Sequence, residues 1–152
     1  MGVMIYRERL WPAPWMFLAS ALVIPASLLV FLPISVPAGV VVAIVLYLGI
    51  IVAFVLTTPT IEVAGGELRA GRARLPLAVV GSVRAAHGAD AVHERGVGLN
   101  ANAWLLLRGW VRDVVRIEVT DPHDPTPYWL ISTRRADELR AAIEAARENS
   151  TA

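Results

Sequence analysis

Two long runs of apolar residues, separated by a short break, dominate the first third of the chain. Residues 15–32 carry no charge and would span about 27 Å as a helix, whereas residues 36–56 would span about 31 Å. Both lengths match the ~30 Å hydrocarbon core of a bilayer, and Pro33 and Pro37 oppose a continuous helix between them. The pattern predicts a transmembrane helical hairpin over residues 15–57. A cleaved signal peptide followed by a core helix fits less well, because the first run already has transmembrane length.

Individual residues in and beside these runs fit a lipid environment. Trp11 and Trp15 stand where the first run begins, and tryptophan rings prefer the membrane–water interface. Pro25 lies in the middle of that run and predicts a kink, which membrane helices tolerate. Neither run contains an acidic or basic residue, which pumps and transporters usually need. We therefore expect an anchor rather than a transport pathway.

Small residues recur at four-residue spacing in the second run. Gly39 with Ala43, and Gly49 with Ala53, would let another helix backbone approach closely. Two interpretations remain open for these faces: packing against the first span of the same chain, and formation of a homo-oligomer.

The arginine distribution predicts the orientation of the hairpin. Arg7 and Arg9 precede the first run, and Arg69, Arg72 and Arg74 follow the second within about 20 residues, a distance over which positive charge favours the cytoplasmic side. The connecting turn is uncharged. We therefore expect a two-span plasma (inner) membrane protein with both termini in the cytoplasm.

After the hairpin the pattern changes to short strand-like runs between turn residues. Val115, Ile117 and Val119 alternate with Arg116 and Glu118, as in a half-solvated antiparallel sheet. The predicted strands are residues 60–63, 67–70, 72–75, 79–84, 104–108, 115–119 and 128–132. Residues 87–102 and the proline-rich residues 121–127 are predicted as loops.

The chain ends in a predicted amphipathic helix. Thr133 is the predicted N-cap, and Leu139, Ala142, Ile143 and Ala146 form one apolar stripe. About seven strands closed by such a helix resemble the pleckstrin-homology-like architecture, a β-sandwich or barrel with a C-terminal helix at one open end. The expected fold class is thus an α+β membrane protein. Its predicted parts are a cytoplasmic N-terminal segment (1–14), the transmembrane hairpin (15–57) and a cytoplasmic pleckstrin-homology-like domain (58–152).

Composition and charge exclude several function classes. Of 152 residues, 56% are hydrophobic and 18% charged, and the absence of cysteine rules out thiol catalysis, disulfides and cysteine-ligated metals. All fourteen basic residues are arginine. From Glu62 onward, twelve arginines balance twelve acidic residues, so the domain lacks the basic excess that nucleic-acid binding requires.

The only cluster of side chains that could bind a metal is His87, Asp90, His93 and Glu94. Its spacing differs from the HExxH pattern of zinc proteases, because Val97 stands where the second histidine would be. We interpret the cluster as a solvated patch on a loop, and expect no metal site.

No other segment carries a catalytic or cofactor motif. Asp121 and Asp124 lie in a proline-rich turn, where aspartate usually bonds the local backbone. Residues 96–100 lack the third glycine of a dinucleotide-binding loop, and Ser82 and Ser132 lie within predicted strands without a nucleophile-elbow motif. We therefore expect a protein that is not an enzyme and has no cofactor.

Two candidate binding patches remain. Arg69, Arg72 and Arg74 follow the second span closely, where each exposed arginine near anionic lipid contributes about 1 kcal/mol. They could bind lipid or serve only to set the topology.

The second patch is Trp110, flanked by Arg108 and Arg112. Residues 109–113 are predicted as the tip of a hairpin between two strands, where a large aromatic residue is unusual. Trp and Arg are enriched at interaction hot spots, so one open interpretation is a binding anchor. The alternative is a ring that folds back and fills a gap in the domain.

Four segments of the chain resemble a known family. Their sequences are YRERLWP (6–12), LRAGRARLP (68–76), LLLRGWVR (105–112) and DPTPYWLISTRR (124–135). They are similar to an actinobacterial membrane-protein family described as domain of unknown function 3093, over residue 6 to about residue 147. The resemblance implies an inner-membrane location in a high-GC Gram-positive cell, and it implies no activity or catalytic residues. Ala136 departs from the proline that the family pattern leads us to expect at the helix start.

These observations favour a membrane-anchored, non-catalytic interaction module: an adaptor or a subunit of an inner-membrane complex, with another membrane or cytoplasmic protein as partner. The first alternative is a sensor of anionic lipid that uses Arg69, Arg72 and Arg74. The second is a regulatory subunit of a membrane enzyme.

Overall fold

The computed structural model describes residues 4–152, which form two units. Residues 11–58 form a helical unit, and residues 4–10 with residues 59–152 form a unit of strands and helices. Together they make an α+β protein with eight strands, two long apolar helical segments and a C-terminal helix among the described residues.

The helical unit contains two segments that are long and apolar enough to cross a membrane. The first covers Pro14–Phe31 and consists of α1 (Pro14–Ser20) and α2 (Val23–Phe31). The second is α3 (Val36–Leu56), with the bounds that the sequence predicts. Only 6% of the first segment and 11% of the second is buried, so neither is a core helix of this unit. Their composition and exposure are compatible with membrane spans.

Proline explains the interruption of the first segment. Pro25 has no N–H to donate to the Ala21 carbonyl, which instead accepts a bond from the Ile24 N–H at 3.0 Å. The helix therefore breaks at residues 21–22, one turn before the proline, as a predicted kink requires. At the start of α3, Ser35 Oγ accepts a hydrogen bond from the Ala38 N–H at 3.4 Å and serves as the N-cap.

The two small-residue pairs of α3 have different surroundings. Gly39 and Ala43 are buried, and a Cβ at residue 39 would lie 3.0 Å from Phe31 Cβ on α2. This pair is thus used for packing within the chain. A Cβ at Gly49 would meet no atom of the described residues within 4 Å, and Ala53 is exposed.

The second unit contains two four-stranded sheets. The first has the order β1 (Met4–Arg9), β2 (Thr60–Ala64), β3 (Glu67–Ala70) and β4 (Ala73–Pro76). The second has the order β5 (Val80–Ala86), β7 (Val114–Val119), β8 (Tyr128–Ser132) and β6 (Trp104–Leu106). A short 3-10 helix (Leu77–Val79), α4 (Gly88–Arg95) and α5 (Ala136–Thr151) complete the unit.

Strand β1 differs from the expectation of a separate segment over residues 1–14. It pairs antiparallel with β2, with Arg7 opposite Glu62, and so it raises the strand number from about seven to eight. Tyr6 and Glu8 point inward and are buried. A buried glutamate interrupts the apolar alternation by which a strand is recognised in sequence, so this strand was missed.

Both faces of β8 in the second sheet are covered by other elements. Every residue of β8 is buried: Trp129 and Ile131 join the main core with Leu139 of α5, whereas Leu130 joins a second apolar cluster with Ala91 of α4. The predicted alternation is present on β7, where Val115 and Ile117 are buried and Glu118 is exposed, whereas β8 is buried on both faces. The outer side of the first sheet, in contrast, carries exposed charged side chains.

Three further expectations are corrected. Residues 88–95 of the predicted loop form α4, in which Ala89, Ala91, Glu94 and Arg95 are good helix formers. The last predicted strand before residue 109 is shorter and runs parallel to β8, not as one arm of a hairpin with β7. Thr133 is not the N-cap of α5: Arg135 occupies that position, because the Thr133 hydroxyl bonds to Glu8.

Candidate functional site

A row of charged side chains crosses the outer surface of the first sheet. Arg7 on β1 lies opposite Glu62 on β2, Glu62 lies opposite Arg69 on β3, and Arg69 lies opposite Arg74 on β4. Alternation along the strands explains the row, since the neighbours Ile61, Leu68 and Leu75 point into the core. One face therefore carries Arg7 together with Arg69 and Arg74, which are distant from Arg7 in sequence.

The row ends at an open cavity beside the β3–β4 turn. The cavity has a volume of about 490 Å³ and is lined by Thr60, Glu62, Arg69, Gly71, Arg72 and Arg74. Gly71 adopts φ +60°, a conformation that glycine takes without strain, and its N–H donates to the Thr60 carbonyl at 2.9 Å. This tight turn brings Arg72 to the same rim as Arg69 and Arg74.

We define the arginine face as Arg7, Arg69, Arg72 and Arg74. Arg7 Nε lies 3.2 Å from Glu62 Oε1, and Arg69 Nη2 lies 3.3 Å from Glu67 Oε2. Arg72 and Arg74 are exposed, and neither forms an ion pair or hydrogen bond with residues 4–152. Four guanidinium groups against two carboxylates leave the face with a net positive charge of two. Its exposed ion pairs are weak enough to exchange for another anion.

The segment around Trp110 does not form the predicted hairpin tip. Strands β6 and β7 are not neighbours in the second sheet, because β8 lies between them. The Trp110 ring is half-buried and packs against the main core, with Arg108 Cζ 6.0 Å from the ring centroid. The indole N–H is buried without an acceptor in the described part of the chain. This geometry favours the gap-filling interpretation of Trp110.

The two arginines beside Trp110 have different environments. Arg108 is half-buried, and its backbone N–H donates to Ser132 Oγ at 3.0 Å. Arg112 is exposed and makes no ion pair or hydrogen bond within residues 4–152. Only Arg112 of this group therefore offers its charge freely.

The predicted interface tryptophans are both exposed. Trp11 is 44% and Trp15 63% exposed. Trp15 lies on α1 and Trp11 just before it, at the start of the first apolar segment. The exposure of both rings is compatible with the interfacial role.

The residues of the predicted metal-capable cluster have different contacts in the structure. Glu94 is only 3% exposed and pairs with Arg84 and with Arg116, whose Nη1 lies 3.1 Å from Glu94 Oε2. Arg84 and Arg116 are directly opposite on β5 and β7, and two like charges there require a counter-ion. Glu94 thus holds α4 onto the second sheet. Within residues 4–152, no three His, Asp or Glu side chains are grouped as metal ligands.

His87 contacts two carboxylates at once. Its Nδ1 lies 2.9 Å from Asp113 Oδ2 and its Nε2 lies 3.0 Å from Asp137 Oδ2. The hydrogen bond with Asp113, followed by that with Asp137, raises the pKa of His87 above its usual value of 6.5. The three residues precede α4, precede β7 and begin α5, respectively.

A buried polar network that the sequence did not indicate surrounds Glu8. Glu8 Oε2 accepts hydrogen bonds from Tyr6 Oη at 2.8 Å and from Thr133 Oγ1, and Glu8 Oε1 accepts from the Arg134 N–H at 2.9 Å. Arg135 donates to the Arg7 carbonyl at 2.8 Å. Burial is the largest factor that raises the pKa of Tyr6, to about 12. The network ties β1 to the start of α5.

The remaining polar candidates serve the fold. Asp121 and Asp124 each accept a backbone N–H two residues further on, at 2.9 Å, as the turn interpretation predicts. Ser82 Oγ donates to Glu118 at 2.8 Å, and this bond is the main cause of the lowered pKa of Glu118. Ser132 is fully buried.

Comparison with known proteins identifies the family. No curated protein and no solved structure matches the chain. The model of one family, described as "Protein of unknown function (DUF3093)", matches residues 5–143, which include the β1 strand, both apolar segments, all the other strands and half of α5. The chain therefore belongs to this family, DUF3093.

Proposed function

We propose that this protein is a membrane-anchored, non-catalytic interaction module whose arginine face docks on anionic lipid headgroups at the cytoplasmic surface of the plasma membrane. The observation that carries the proposal is the exposed position of Arg72 and Arg74 beside an open cavity, two arginines without a counter-ion among residues 4–152. The outer face of the first sheet is exposed, whereas α4 covers part of the second sheet.

Chain connectivity supports this partner. Four residues separate β1 from α1, and three separate α3 from β2. The first sheet is therefore joined to both apolar segments by short connections. An anchored basic surface close to anionic lipid gains about 1 kcal/mol for each arginine that approaches the headgroups.

Lipid docking is preferred here to an adaptor role through Trp110, since the Trp110 ring packs on the core of its own domain. A protein-binding role that involves Arg108 and Arg112, and a regulatory role for a membrane enzyme, remain the alternative hypotheses. The pleckstrin-homology-like arrangement remains a prediction for the fold.

A variant without the apolar segments allows the lipid prediction to be tested in solution. The Leu10 N–H donates to the Pro59 carbonyl at 3.0 Å, so a short glycine–serine linker can replace residues 11–58. Cooperative thermal unfolding first establishes that this variant folds. In co-sedimentation, we expect binding to vesicles that contain phosphatidylserine, little binding to phosphatidylcholine alone, and weaker binding as salt screens the charges. Arg72→Gln with Arg74→Gln should weaken binding about 30-fold, from about 2 kcal/mol.

The matched control removes the same charge elsewhere. Arg112→Gln with Arg140→Gln replaces two exposed arginines outside the arginine face and should leave vesicle binding nearly unchanged. Equal losses in the two double variants would show that only net charge matters, and a loss confined to the control pair would refute the arginine face as the docking surface.

The proposed topology can be tested by thiol labelling, because the chain has no cysteine. Ile34, between the two apolar segments, is 76% exposed and does not cap α3, unlike Ser35. In intact cells, Ile34→Cys should react with a membrane-impermeant maleimide, whereas Ala152→Cys should react only after lysis. The reverse labelling pattern would place the arginine face outside the cell and end the proposal.

A further inference from the structure

We propose that His87 is a pH-sensitive latch, which in its doubly protonated form fastens the N-terminal end of α4 to both β7 and α5. Each nitrogen of the ring lies within 3.0 Å of a carboxylate oxygen from a different element. This regulatory device is independent of the lipid docking proposed above, because it involves no residue of the arginine face.

The hydrogen-bonding capacity of imidazole gives the contact its pH dependence. A neutral imidazole has one N–H donor and one acceptor nitrogen, whereas ionised carboxylates only accept. Two simultaneous bonds to Asp113 and Asp137 therefore require the imidazolium. When the ring loses a proton, one of the two nitrogens presents a lone pair to a carboxylate, and that contact is lost.

The charged groups around the ring determine the direction of the change. Asp113 faces it from the residue before β7, and Asp137 faces it from the first turn of α5; on α4 itself, Asp90 lines a separate cavity with His93 and Arg84. Hydrogen bonds to the two aspartates raise the pKa of His87 above 6.5. A group with a raised pKa in the folded state stabilises fully below its unfolded pKa. The latch is thus closed below about pH 6.5 and opens as the pH rises through the higher pKa of the folded protein.

When the His87 contacts are lost, the structure restricts the loosening to the N-terminal end of α4. Near the C-terminal end of this helix, Glu94 forms ion pairs with Arg84 and Arg116, and neither contact involves His87. At the other end, the Asp90 and Ala91 N–H groups donate to the His87 carbonyl at 3.1 and 3.3 Å. Loss of the latch therefore loosens the first turn, and with it the cover that Ala91 provides for the apolar cluster on the second sheet.

Hydrogen exchange of the full chain in nanodiscs tests the latch directly. After correction for the intrinsic exchange rate at each pH, the protection of the Asp90 and Ala91 amides should fall several-fold as the pH rises through the His87 titration. His87→Gln should abolish this pH dependence. The matched control is His123→Gln, since His123 is 93% exposed and contacts a single carboxylate, that of Asp121. Its pH dependence should equal that of the native chain.

An NMR titration of the histidine rings provides a measurement on the unmodified protein. We expect His87 to titrate above its usual value of 6.5, and Asp137→Asn to move the His87 midpoint downward. A His87 midpoint at or below 6.5, or a pH dependence of α4 protection that survives in His87→Gln, would overturn the proposal.

Discussion

Replacing Leu139 with alanine is expected to reduce the free energy of unfolding of the sheet-containing unit by about 2–5 kcal/mol. Leu139 lies on α5, is fully buried, and packs in the main core together with Ile131 of the second sheet and Ile61 of the first. Truncation removes apolar contacts and leaves a cavity between these elements. The loss is a large share of the ~5–15 kcal/mol that stabilises an ordinary domain.

Denaturant unfolding followed by near-ultraviolet circular dichroism measures this effect, because Trp104 and Trp129 form a close pair in the same unit, with ring centroids 4.1 Å apart. Leu105→Ala is the matched control: it makes the same chemical change on the edge strand β6, where the side chain is 41% exposed. We expect a clearly smaller loss there. Equal small losses at the two positions would mean that α5 does not close the core.

The second large effect is expected for Glu8→Ala, which should cost about 3 kcal/mol because it removes a buried acceptor from several donors. The hydroxyls of Tyr6 and Thr133 and the backbone N–H of Arg134 would lose the carboxylate that they share. The variant should also release β1, whose connection to the start of α5 depends on this network. Faster hydrogen exchange of residues 5–9, measured together with the unfolding free energy, would report that release.

Glu144→Ala is the control for this substitution. Glu144 is exposed on α5, so its loss should change stability by less than about 0.5 kcal/mol. If Glu8→Ala were as mild as Glu144→Ala, the Glu8 network would contribute little, and β1 would be held by its pairing with β2 and by the core contacts of Tyr6.

The contribution of β1 changes how the chain divides into parts. The apolar segments are inserted between the first two strands of one sheet, so a fragment that starts at residue 58 lacks an edge strand and the Glu8 network. We therefore expect experiments on the isolated C-terminal part to require residues 4–10 as well. A boundary drawn only from the change in composition omits them.

Local patterns determined much of the architecture. The second apolar segment begins and ends where the uncharged run predicts, and the interruption before Pro25 follows from its missing N–H. The apolar stripe that includes Leu139 and Ile143 correctly identifies the buried side of α5. These features could be predicted because each depends on neighbouring residues and on the solubility of their side chains.

The remaining features of the fold depend on pairing between segments that are distant in sequence. Whether Glu8 is a surface charge or a buried acceptor depends on Thr133 and Arg134, which are more than 120 residues away. Trp110 was predicted at a hairpin tip, but β8 inserts between β6 and β7 and removes that hairpin.

The candidate site shows the same division. The sequence identified Arg69, Arg72 and Arg74 as a basic group, but it could not show that Arg7 belongs to the same row or that Glu62 lies between them. It singled out His87 without its two aspartates, one on the residue before β7 and the other in α5. Composition and local periodicity are properties of short stretches of chain, so they can be read from the sequence. Strand order and register bring charges from distant segments together, and they arise only when the core is assembled.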